Sequence, residues 1–121
     1  MSEQRMIIEM GMGNDMYGED YTKAATRAIE DAIRHSSLPI FEATDLSHDE
    51  MRVRVTVGVQ EPGLVDCEAL ATCLPRGRAE VVAVKGGLNV DNPETGGRIV
   101  IASAAVEAFL PPQAGWVLRK P

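Results

Sequence analysis

The chain has 121 residues, of which 12 are Lys or Arg and 18 are Asp or Glu, for a formal net charge of −6. That length suits a single domain over residues 1–121, and an acidic chain without clustered basic residues argues against nucleic acid as a partner. No segment approaches the roughly 18 uninterrupted apolar residues of a membrane span, so no membrane partner is expected.

At the N-terminus only Met6-Ile7-Ile8 precedes Glu9. This is too short for the apolar core of a signal peptide, so no export signal is expected. The run from Arg5 to Met10 reads as a buried strand that ends in the glycine-rich loop Gly11-Met12-Gly13-Asn14-Asp15. From Asp20 to Ser37, Ala25, Ala28, Ile29, Ala32, Ile33 and Ser36 recur at helical spacing, with Lys23, Arg27, Glu30, Asp31 and Arg34 on the opposite side. Asp20 is the expected N-cap, and Arg27/Asp31 and Glu30/Arg34 are i,i+4 pairs, with Pro39 just past the end.

Met51, Val53, Val55, Val57 and Val59 alternate with Arg52, Arg54, Thr56 and Gly58, the period of a strand with one buried face. After Pro62-Gly63, Asp66 can cap a short helix that turns Cys67, Leu70, Ala71 and Leu74 inward and ends near Pro75 and Gly77. Cys67 and Cys73 are six residues apart, pointing in different directions and too far apart for a disulfide, so they read as reduced thiols suited to the cytoplasm. Residues 79–85 and 98–107 read as two further strands joined by a long loop over 86–97. The expected fold is α+β in β-α-β-α-β-β order: a single layer of about four strands with both helices on one face. The other face carries Arg52, Arg54, Thr56 and Gly58 and is either solvated or packed against another subunit, so a homo-oligomer is expected.

The best site candidate is the loop from Gly11 to Gly18, where Gly11, Gly13 and Gly18 would let a ligand approach and Asp15 and Tyr17 would act on it. A dinucleotide fingerprint is not met, because the third glycine is displaced and Asp15, Glu19 and Asp20 crowd the helix start. The competing reading makes the glycines a turn and the two aspartates local caps. Asn and Asp cap about equally well, so Asp15→Asn is expected to cost little stability. Arg52 and Arg54 are candidate ligand contacts for a carboxylate, and Glu107 is a third candidate catalytic residue in its apolar surroundings. His35 and His48 are isolated, so no metal site is expected, and the residues name no cofactor.

The segment Gly11-Met12-Gly13-Asn14-Asp15-Met16-Tyr17-Gly18, with the Thr22-Lys23-Ala24-Ala25 helix behind it, resembles a small uncharacterised bacterial family, also met within longer plant proteins, marked by Gly-x-Gly-x-Asp-x-His-Gly. The resemblance runs on through Met51-Arg52-Val53 to Ala104-Ala105-Val106-Glu107, and Tyr17 stands where the family pattern has His. A phenol is a poor base at neutral pH, so a base or metal-ligand role for that His does not carry over. In element order the chain also resembles subunits of the chorismate mutase and deaminase-accessory type, and one repeat of the ring-opening amidohydrolases. Those likenesses imply threefold assembly with clefts between subunits, and the amidohydrolase Ser/Lys pair would be Ser103 with Lys85 on adjacent strands. Two functions therefore stand open: a small-molecule site at a subunit interface near residues 11–18, enzymatic or binding, or a noncatalytic oligomeric module.

Overall fold

A computed structural model describes residues 4–34, 50–74 and 78–111. The elements run β1 (Gln4–Asp15), α1 (Tyr21–Arg34), β2 (Arg52–Val59), a 3-10 turn (Pro62–Leu64), α2 (Cys67–Ala71), β3 (Arg78–Lys85), β4 (Leu88–Asn92) and β5 (Gly97–Leu110). The expected roles of His35, Ser36, Pro39, His48, Pro75 and Gly77 fall outside the described residues.

The fold is the expected α+β sheet with two helices, enlarged by a fifth strand. Its path is β1-β5-β2-β3, with β2 and β3 parallel and β5 antiparallel to both of its neighbours. The long loop expected over 86–97 is instead a hairpin, in which Leu88–Asn92 pairs with Ile101–Gly97 and continues the lane that β2 vacates. Only Leu88 and Val90 alternate in that strand, among Asn and Asp residues that strands disfavour, so the local signal is weak. The chain reaches β4 by crossing the end of β2 at Gly86-Gly87, where Gly87 takes φ +62° and Gln60 Nε2 donates to both glycine carbonyls at 3.1 and 3.2 Å.

One face of the sheet carries the core. Val53, Val55, Val57 and Val59 from β2 and Val100, Ala102, Ala104, Val106, Ala108 and Leu110 from β5 are buried there beneath α1 and Leu70 of α2. Each fully buried Val or Leu contributes about 1.5–3 kcal/mol. Helix α1 meets this surface with Ala24, Ala25, Ala28 and Ala32, all fully buried, which brings its backbone close to β1.

That closeness corrects the reading of Gly11 and Gly13 as a loop, since β1 runs through both. A Cβ on Gly11 would lie 2.5 Å from Ala28 O and Ala32 N, and one on Gly13 would lie 2.5 Å from Arg27 Cβ. The missing side chains make room for a helix. The same helix guards the edge of β1: Met12 N–H donates to Asp31 Oδ2 at 3.0 Å, and Arg27 Nη1 donates to Asn14 O at 2.6 Å. Asp31 also accepts from Arg34 at 3.1 Å, an i,i+3 pair in place of the expected Glu30/Arg34 one, while Arg27 turns to Asn14 and Asp15 of β1.

Candidate functional site

The sharpest local chemistry lies where β1 ends and α1 begins. Asp15 alternates onto the core face and is only 4% exposed. Its Oδ2 accepts the Asp20 backbone N–H at 2.9 Å, while its Oδ1 faces Lys23 Nζ at 3.9 Å and Arg27 Nη1 at 3.7 Å. Gly18 leaves space for this carboxylate, because a Cβ there would sit 2.9 Å from Asp15 Oδ2. The turn also holds Glu19 at φ 49°, an uncommon conformation for a residue with a side chain. Asp20 caps the helix as expected, its Oδ1 accepting Lys23 N–H at 3.0 Å. One Asp15 oxygen holds the turn and the other faces two cations, so in this arrangement Asp15 orients the turn and the two cations. Asn at this position would set an amide N–H toward those cations, a cost that the capping argument by itself leaves out.

Around this anchor lies an open cleft of about 490 Å³, lined by Asn14 to Gly18 together with Lys23 and Arg27. Tyr17 is 82% exposed at its rim, and the two cations are about half exposed. Lys23 and Arg27 were assigned only to the solvent side of the helix by periodicity. Their four-residue spacing at the start of a helix that follows a buried Asp is the signal that points to them.

The remaining candidates lie elsewhere. Asp15 pairs with Val100, and Glu107 is seven residues further along β5, roughly 23 Å at about 3.3 Å per residue and on the opposite face. Glu107 accepts from Arg5 Nη1 at 3.1 Å. Arg52 pairs with Glu80 at 2.9 Å and its guanidinium lies 4.4 Å from the Phe109 ring centroid, while Arg54 stands between Glu107 and Glu80 on neighbouring strands. Within one chain, then, Arg52, Arg54 and Glu107 form a group of their own, separate from Asp15, Tyr17 and Gly18. Ser103 and Lys85 are not on adjacent strands either: β2 runs between β3 and β5, and Lys85 pairs with core-facing Val59 while Ser103 pairs with outward Gly58.

Near the start of α1, Asn89 Nδ2 donates to Tyr21 Oη at 2.7 Å, and Asn89 Oδ1 is buried without a partner. Arg98, close by, has its pKa raised by the charge and hydrogen bond of Asp91, with smaller contributions from Glu19 and Tyr21. Both cysteines are free thiols. Among the described residues no three His, Cys, Asp or Glu side chains are grouped to hold a metal ion, and no helix is long and apolar enough to cross a membrane.

A family model for a conserved hypothetical protein, Lin0512, matches residues 5–108, from the start of β1 almost to the end of β5. The chain belongs to the Lin0512 family. A solved structure from Nostoc punctiforme, described as an FtsZ-like protein of unknown function, is 38% identical, covers 93% of this chain and 99% of its own, and superposes with a TM-score of 0.81. No curated protein matches the chain at a significant level. The family match takes in the Asp15 turn and all but the outermost residues of the sheet, so the cleft lies within it.

Proposed function

We propose that this chain binds a small anionic molecule, one bearing a carboxylate or phosphate, in the cleft at the end of β1. The supporting observation is the buried Asp15 carboxylate holding two half-exposed cations, Lys23 and Arg27, at the wall of an open cleft. The lining residues carry two positive charges and one negative, which favours an anion, and Arg27 can meet it with a planar donor set. Tyr17 supplies a ring and a hydroxyl at the rim, and Gly18 keeps the entrance low. Asp15 is a positioning residue here, and Glu107, Arg52 and Arg54 take no part within one chain. The cytoplasm is the compartment this reading assumes, in keeping with two unpaired thiols.

The test is calorimetric titration with inorganic phosphate and with small mono- and dicarboxylates, alongside thermal shift. Saturable binding by wild type, weakened at least about tenfold by Lys23→Ala or Arg27→Ala in protein that circular dichroism shows to be folded at the titration temperature, supports the reading. No saturable binding in any of these titrations refutes it.

The second reading is a noncatalytic oligomeric module. One observation favours it: Gly11, Gly13, Asp15 and Gly18 each have a packing or hydrogen-bonding task in the fold. The threefold assembly implied by the chorismate mutase and amidohydrolase likenesses is one form such a module takes.

A further inference from the structure

The face of the sheet turned away from α1 and α2 is ordered in rows. Reading across β1, β5, β2 and β3, the register aligns Ile8-Glu107-Arg54-Glu80, then Met10-Ala105-Thr56-Val82, then Met12-Ser103-Gly58-Val84. Past the end of β2, β4 takes over that lane and the rows become Asn14-Ile101-Leu88 and Ile99-Val90. Beyond the charged row the face is mostly apolar and open, with Met10 71%, Met12 57% and Leu88 59% exposed.

The geometry points to this face as the surface on which a second copy of the chain packs, related by a two-fold axis that runs along the strands between β5 and β2. A rotation about that axis keeps each row at its own level and reverses the order of the strands. The charged row then meets itself reversed, which sets Arg54 of each copy against Glu107 of the other. In the next two rows Met10 meets Val82, Met12 meets Val84, Ala105 meets Thr56 and Ser103 meets Gly58, so large side chains oppose large ones at the flanks and small ones lie at the axis. Two sheets stacked about 10 Å apart suit an Arg–Glu pair across that row. Arg54 is exposed and, among the described residues, in no ion pair of its own chain, which leaves its guanidinium for a partner.

Charge and area agree with a like partner. The chain carries −6 overall, yet this charged row balances one Arg between two Glu that already hold Arg5 and Arg52, so two acidic chains can meet on this face without setting bare carboxylates against each other. The face measures on the order of 700 Å² from strand spacing and rise, close to the roughly 800 Å² per partner of a standard interface. This inference is independent of ligand binding in the cleft, though Asn14 belongs to both surfaces and sets the cleft at the rim of the contact.

The experiment is sedimentation velocity at micromolar concentration on the full chain, four substituted variants and a chain lacking residues 112–121, with circular dichroism to follow the fold. Wild type should have twice the mass of one chain. Met12→Glu should give a folded monomer, because it places a charge opposite Val84. Arg54→Glu and Glu107→Arg should each raise the dimer dissociation constant about tenfold or more, and the double swap should restore it. Monomeric wild type overturns the proposal, including the case in which deleting residues 112–121 frees the face for association and so identifies the chain's own tail as its cover. A trimer, or single and double charge variants that associate like wild type, overturns it too.

Discussion

The two faces of the sheet are built from alternate residues of the same strands, yet they follow different rules. On the covered face the centre is uniform: Val along β2, Val and Ala along most of β5 and Gly11 and Gly13 in β1, sized so that α1 can lie against β1 with its backbone almost in contact. On the open face, composition is graded, from a charged row through Met, Val and Ala to Ile, Leu and Val. A face that packs on its own helix is fixed atom by atom. A face that no helix of the described chain covers is under no such constraint, and its side chains can remain long and polarisable, as the exposed Met10 and Met12 are.

This contrast is broken most severely at Gly13. Gly13→Val places a branched side chain on the backbone of α1, so the variant is expected to lose about 3 kcal/mol or more and to unfold well below the wild-type temperature in calorimetry. A wild-type melting temperature would show that α1 does not lie where described. A second comparison uses two neighbours on one strand. Ala104→Leu overpacks the covered face and should cost about 1–3 kcal/mol, whereas Ala105→Leu should change the stability of the dissociated monomer by less than about 0.5 kcal/mol. Denaturant unfolding at nanomolar concentration measures both, and equal losses would deny that the faces differ.

An effect of intermediate size belongs to Asp15. Asp15→Asn keeps one acceptor for the Asp20 N–H but removes the charge facing Lys23 and Arg27, so a loss of about 1–2 kcal/mol is expected, moderated because both cations are half exposed. A loss that disappears in the background of Lys23→Met and Arg27→Met would assign it to the cations; one that persists would assign it to the turn.

The helix start at Asp20, the alternation of β2 and the Asp66 cap, whose Oδ1 accepts Ala69 N–H at 3.1 Å, were legible because each depends on residues within a few positions of one another. The α+β class followed from the same local periods. Three features depended on residues distant in sequence. Glycines read the same whether they open a loop or admit a helix, and only the arrival of Ala28 and Ala32 over β1 decides which holds for Gly11 and Gly13. Strand β4 exists because β5 extends past β2 and offers it a lane, a fact that no window of five residues contains. The separation of Glu107 and Arg54 from Asp15, and the rows that set Arg54 beside Glu107, come from the register of β1, β5 and β2. Local chemistry determines which elements form, since capping and periodicity act over a turn or two of chain. Which residues become neighbours was decided by tertiary structure, because register is a property of pairs of strands.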